Sequence, residues 1–436
     1  MSIFGNLNPF FKADIAKKAA GNAGWIIAFR VLKLIISFFV VVMIARHLGV
    51  EEYGMLVFAL VLAELTMNLI GPGIHEIIVK QLSEFRNKER QEEIINASFV
   101  LILLSQIPGL ALAVGLLFVI TGQLSLVPVL LCVGAYYMFH SFDVIEFWYQ
   151  HRLKSHIPLL IKAIATLISS GLHVLLVFLN APILAFAVVF MVQSMLMGIG
   201  YLIIYFKDEM RFIPIFNWVM ILRILKLSFP LILTKTLILF FHKSDIFLLG
   251  TLADSTAVGL YGVAVKFRDM LHIIPSALAL SVLPVLTAAN EQDRKTWSIL
   301  YYKLSFWGGL LISVSLAFIL PYLVPFIFGS EFRLSGGMAS IHIFTFFFLM
   351  ILEAMKIRLI VMGMISELYW IYVLALTLTI GLNVYIIPIY GAIGVAGVAV
   401  VSYAFCALVF PWFFKSLKTE SRYMWNAIIP YLSPLK

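Results

Sequence analysis

Charge is scarce in this chain. Asp, Glu, Lys and Arg make up 12% of its 436 residues, and 62% are apolar. A soluble domain carries about 25% charged residues. A water-soluble core is therefore excluded, and the composition reads as an all-α integral membrane protein. Cysteine is scarcer still. Cys132 and Cys406 both sit in apolar runs, with no CxxC and no Cys/His metal spacing, so they read as buried thiols. Loops long enough to form a soluble domain are missing. GNAGW (21–25) and GAIGVAG (391–397) lack the strand–turn–helix setting of a phosphate-binding loop, and the second reads as close helix packing. No cofactor, metal or nucleic-acid partner is expected. The start, MSIFGNLNPFFKADIAKKAAGNAGW, has neither a continuous apolar stretch nor a small-residue cleavage site. It is expected to be an amphipathic segment (1–24) on the inner membrane surface.

What is present is a series of apolar runs: 25–45, 54–74, 96–120, 124–147, 157–179, 182–206, 226–250, 258–288, 299–328, 337–362, 367–389 and 392–414. They predict about twelve spans of roughly 20 residues. Basic residues alternate between their connections. One side collects Lys12, Lys17, Lys18, Lys80, Arg86, Lys88, Arg90, Arg152, Lys154, Lys207 and Arg211, then Arg223, Lys226, Arg294, Lys295, Lys415, Lys418 and Arg422. The other side has Arg46, Arg333 and short turns such as GVEEYG, TGQLS and PIYGA. The positive-inside rule then puts both termini in the cytoplasm, and the net charge of +9 largely reflects that bias.

The chain also repeats itself. KLIISFFVVVMIARHLG (33–49) aligns with KTLILFFHKSDIFLLG (235–250), matching Lys33 to Lys235 and Leu48-Gly49 to Leu249-Gly250. Each is followed by a Tyr-Gly (Tyr53-Gly54, Tyr261-Gly262) and later by a proline, in IGPGI and IIPSA. A repeat of six spans keeps its orientation, so two parallel six-helix lobes around a central cavity are expected. The lobes would be 25–206 and 226–414, joined by a cytoplasmic linker (207–225) and followed by a cytoplasmic tail (415–436).

ARHLGVEEYG, DIFLLGTLADSTAVGLYGVAVKFRDMLHIIPSALALSVLPVL and PIYGAIGVAGVAVVSYAF resemble the Wzx-type polysaccharide flippases. These belong to the multidrug/oligosaccharidyl-lipid/polysaccharide exporter superfamily, and the resemblance covers nearly the full length. It implies a transporter rather than an enzyme. The cargo would be a lipid-linked oligosaccharide, moved from the inner to the outer leaflet of the cell membrane by alternating access. Membrane lipids and polysaccharide polymerase machinery are the implied partners, and O-antigen and lipopolysaccharide assembly the implied setting.

The charged positions inside the spans support an anionic cargo independently. Intramembrane charge is costly and marks pairs, snorkelling residues or ligand pathways. Arg30, Lys33, Lys235, Lys266 and Arg268 form the candidate cationic cavity, with Lys33 and Lys235 related by the repeat. Glu64, Asp143, His242, Lys243, Asp245 and Asp269 are candidates for coupling or charge pairing. Spacing of three or four allows Lys266 to pair with Asp269, Asp269 or Arg268 with His272, and Glu353 with Lys356. Lys243 and Asp245 are further candidates for snorkelling or mutual pairing, and Asp143 and Glu146 for capping their helix end or pairing with Arg152. A surplus of bases suits a pyrophosphate head group. Two alternatives stay open. A drug or metabolite extruder of the same architecture would favour an acidic cavity. A membrane glycan polymerase or ligase would need outer-face carboxylates, of which only Glu51-Glu52 qualify. Pro108, Pro230, Pro275 and Pro284 interrupt spans and are candidate hinges or fixed kinks.

Overall fold

The computed structural model describes residues 9–69, 71–85, 87–214 and 216–428; the side chains up to Ala23, of Ile26–Ala28, and of Arg30, Pro72, Thr121, Ile365, Ala427 and Ile428 also lie outside the described residues. The amphipathic surface expected of 1–24 therefore falls largely outside the description. Fifteen α-helices are joined by short turns and 3-10 segments, and the described residues contain no strand. They are α1 (Pro9–Met67), α2 (Gly71–Glu84), α3 (Lys88–Thr121), α4 (Val127–Phe139) and α5 (Asp143–His151). Next come α6 (His156–Phe178), α7 (Ile183–Lys207), α8 (Trp218–Leu252), α9 (Ser255–Leu271) and α10 (Ile273–Ala288). The last are α11 (Glu291–Phe328), α12 (Arg333–His342), α13 (Phe344–Met362), α14 (Ile365–Ala404) and α15 (Lys418–Ile428).

Nine helices or helix pairs among the described residues are long and apolar enough to cross a membrane. The difference from the twelve apolar runs has a physical origin. α1 and α14 each hold two runs joined at one glycine, Gly49 (φ 72°) and Gly391 (φ 55°). Both glycines adopt a left-handed backbone that a side chain disfavours, so the chain turns there without a loop. The run 337–362 folds as α12 and α13; α13 carries Glu353, Lys356 and Arg358 and is outside the nine.

Four of the twelve apolar runs are interrupted, at corresponding places in the two halves of the sequence. The second breaks after Met67, where α1 ends, and the fourth at 140–142 between α4 and α5. The eighth breaks at His272 and the tenth at Ile343. Pro275 accounts for the eighth: it cannot donate to the carbonyl of Leu271, and its ring crowds that turn. The fourth and tenth spans also match in sequence. Gly134 precedes His140-Ser141-Phe142 as Gly336 precedes His342-Ile343-Phe344, at the same offset that relates Lys33 to Lys235. Interrupted helices expose polar backbone only where protein or a watery path can satisfy it.

The chain divides into two compact units. One takes residues up to Val41, then Thr66–Phe118 and Gln123–Leu233; the other takes Val42–Leu65, Val119–Gly122 and everything from Thr234. The division falls inside α1 and α8 and not only at the linker. In the first unit, α4 and α6 pack on α7, and α2 packs on α5. Trp148, Tyr149, Tyr201 and Tyr205 fill its core. In the second, α11 packs against α12, α13 and α15, and α9 against α12. Its core gathers Phe241, Tyr302, Tyr372 and Tyr403.

The linker between α7 and α8 is pinned to the start of α3. Glu92 accepts the Arg211 N–H (2.8 Å), and Asn96 accepts the Ile213 N–H (3.1 Å) while donating to the Arg211 carbonyl (3.3 Å). Asn217 donates to Glu93 (2.7 Å) and accepts the Met220 N–H (3.1 Å), capping α8. These bonds satisfy an irregular backbone that would otherwise depend on water.

Candidate functional site

The charged residues that sequence singles out fall into two polar clusters, one in each unit. In the second unit α9 contributes Tyr261, Lys266, Arg268 and Asp269. Three- and four-residue spacing places several of them on neighbouring helical positions. Arg268 is buried and fully engaged. Its Nε and Nη2 donate to Asp269 Oδ1 (3.1 and 2.6 Å), and its Nη1 donates to the Tyr403 hydroxyl (2.8 Å). Tyr403 in turn donates to His242 Nδ1. Asp245, also buried, accepts from the Tyr261 hydroxyl (2.6 Å) and from the Ile246 N–H (2.8 Å). Lys243 pairs with Glu64 at 3.4 Å, and Lys356 with Glu353 at 2.5 Å. His272 lies 4.0 Å from Glu353.

Only one of the pairs suggested by spacing is the pair observed, Glu353 with Lys356. Asp269 is held by Arg268 and not by Lys266. Neighbouring helix residues do not face each other, but the long guanidinium arm folds back to reach. Lys243 takes Glu64, on another helix, in place of Asp245. Lys266 is half-buried and makes no hydrogen bond or ion pair among the described residues. It lies within electrostatic reach of Lys243, Asp269 and Glu64. Lys235 is half-buried on α8 and engaged in an interaction of its own.

The first unit holds the other cluster. His140 Nδ1 donates to Asp143 Oδ2 (2.9 Å) across the break between α4 and α5. Lys162, on α6, forms an ion pair with Glu146. Gln150 donates to the other Glu146 oxygen (3.3 Å), and His75 donates to Gln150 (2.6 Å). Arg152 is not the partner of either carboxylate; it stacks over the Trp148 ring at 4.0 Å. Lys33 is exposed and makes no hydrogen bond or ion pair among the described residues, yet its charge acts on Lys162, Asp143 and Glu146. Arg30 lies outside the described side chains.

Sequence reasoning missed Lys162, His75, Gln150, Tyr261 and Tyr403. Lys162 was detectable, as a lone base deep in an apolar run. The tyrosines and Gln150 carry no such signal, since each acquires its role through a partner on another turn or helix.

The bonding pattern leaves room for an anionic ligand. Each of the span carboxylates Glu64, Asp143, Glu146, Asp245, Asp269 and Glu353 has a partner. Lys33 and Lys266 are the cations left over in these clusters. An unpaired ammonium at membrane depth is costly until an anion reaches it. No group of three or more His, Cys, Asp or Glu residues able to hold a metal ion occurs among the described residues.

Residues 19–290 match the family described as polysaccharide biosynthesis protein. No curated protein matches the chain. Among solved structures, lipid II flippase MurJ in an inward closed conformation has the same fold, with a TM-score of 0.74 at 15% identity over 94% of this chain and 92% of that one. An inward-facing multidrug resistance MATE transporter of the MOP superfamily gives 0.62 at 15% identity, over 89% and 96% of the two chains. The eukaryotic MATE transporter AtDTX14 gives 0.59 at 14% identity, over 94% and 98%.

Proposed function

We propose that this chain, which belongs to the polysaccharide biosynthesis protein family, is a flippase for an isoprenoid-pyrophosphate-linked oligosaccharide. The all-α, multi-pass fold is that of flippases and transporters. The cargo passes from the cytoplasmic to the outer leaflet, for assembly of a cell-surface polysaccharide such as O-antigen, by alternating access of the two lobes. The observation that carries this reading is the pattern of bonding: each carboxylate named above has a hydrogen-bonding or ionic partner, while the ammonium groups of Lys33 and Lys266 have none among the described residues. Lysine provides a mobile point charge suited to a pyrophosphate. The sugars travel shielded from hydrocarbon and the isoprenoid tail stays in the bilayer.

Orientation follows from the basic connections, which place both termini in the cytoplasm. A membrane potential negative inside then favours outward movement of an anionic head group by about 2.3 kcal/mol per charge per 100 mV. A cation extruder of the same fold is disfavoured by the same unbonded ammonium groups. A polymerase or ligase is disfavoured by family and by the scarcity of outer-face carboxylates.

Purified protein in liposomes tests the proposal. Exposure of a pyrophosphate-linked oligosaccharide on the far leaflet is expected to depend on the protein, and transport of a lipophilic cationic dye is not. Dye transport without oligosaccharide exposure would replace this reading with the extruder.

A further inference from the structure

The cluster in the first unit contains more than an anion site needs. Its four charges are Lys33, Lys162, Asp143 and Glu146, with His140, His75 and Gln150 around them. Two negative charges within electrostatic reach of Lys33 would repel a pyrophosphate or capture the lysine outright. Neither carboxylate is free to do so. Asp143 is bonded to His140. Glu146 is gripped on one oxygen by Lys162 and on the other by Gln150, which is itself fixed by His75. Lys33 shares no hydrogen bond with either carboxylate and is exposed.

We infer that Lys162 is a positioning residue for the anion site: it sequesters Glu146 so that the Lys33 ammonium stays available to the head group. The inference rests on the flippase reading and assigns a role to a residue outside the cationic set. It makes the two members of one ion pair act in opposite directions. Loss of Lys162 releases Glu146 to pair with Lys33 and closes the site. Loss of the Glu146 charge releases Lys162 as a second cation and strengthens the site. A purely structural pair behaves differently, because losing either partner leaves the other buried and unpaired, and both losses impair.

The test uses the full-length protein in detergent and two probes, geranylgeranyl pyrophosphate and the uncharged geranylgeraniol. Wild type should bind the pyrophosphate more tightly than the alcohol. Lys162→Met should weaken pyrophosphate binding about tenfold, a fraction of a full unit-charge interaction at close range. Glu146→Gln should tighten it by a similar factor, and the double variant should return close to wild type. Lys162→Arg should retain binding. Melting temperature should fall in both single variants, which separates folding from affinity. Weaker or unchanged binding in Glu146→Gln, or unchanged binding in Lys162→Met, would overturn the positioning role while leaving the flippase reading in place. Equal binding of pyrophosphate and alcohol by wild type would remove the reading and the inference together.

Discussion

The tightest helix crossing in the second unit gives the sharpest structural prediction. Just after the Gly49 turn, α1 meets the first turns of α9 backbone to backbone. A Cβ built on Gly54 would lie 1.8 Å from the Ser255 carbonyl oxygen and 2.8 Å from the Gly259 nitrogen. One built on Gly259 would lie 2.1 Å from the Val50 oxygen. Ordinary contact would require the helices to separate by roughly 1.5 Å. No side chain can rotate away, since the obstructing atoms are backbone. Overpacking of this kind costs about 3 kcal/mol at the upper end of the usual range. Alanine returns up to about 1 kcal/mol through helix propensity. Gly54→Ala should therefore destabilise by about 2 kcal/mol. Gly308→Ala is the matched control: it lies inside α11, and its Cβ would meet nothing within 4 Å. That variant should be stabilised by about 0.5–1 kcal/mol. Thermal unfolding in detergent, followed by the loss of the monodisperse peak, compares the two directly. Gly54→Ala melting at or above Gly308→Ala would refute the close crossing.

Three further predictions follow from the polar contacts. Arg358 on α13 and Glu420 on α15 form a buried ion pair, with Nε to Oε2 at 3.0 Å. Truncating either to alanine should cost about 3–5 kcal/mol, while replacing both by apolar residues of similar volume should cost far less; melting of the three variants decides it. Asn96→Ala removes two of the three bonds that hold residues 211–213, leaving the one from Glu92, and should cost about 1–2 kcal/mol. Trypsin should then cut at the exposed Arg211 much faster than in wild type. Tyr403→Phe removes the hydroxyl shared by Arg268 and His242 and leaves a buried charge less satisfied. It should destabilise by about 1–3 kcal/mol, whereas the same change at the exposed Tyr385 should leave melting unchanged.

The positions of the spans were legible because bilayer thickness and hydropathy fix them together. Two of the turns were legible too: GVEEYG and PIYGA contain the glycines, Gly49 and Gly391, at which α1 and α14 turn. The pair Glu353–Lys356 was visible because both partners lie on one helix at a spacing of three. Partner choice across helices was not. Spacing offered Asp269 to Lys266, but Arg268 reaches it first. Glu146 finds Lys162 on α6, Lys243 finds Glu64 on α1, and Arg358 finds Glu420 far along the chain. Local periodicity carries no information about which helices meet. The boundary between units inside α1 and α8 was hidden for the same reason, since continuous apolar runs show no seam.

In the proposed flippase the unbonded ammonium groups of Lys33 and Lys266 hold an anionic head group in transit. Flipping of a pyrophosphate-linked oligosaccharide is to be compared for wild type, Lys33→Ala and Lys266→Ala, reconstituted in liposomes at matched protein density. The account predicts protein-dependent glycan exposure on the far leaflet, lost or strongly reduced in both variants although they fold and insert normally. Flipping at the wild-type rate by both variants would contradict it.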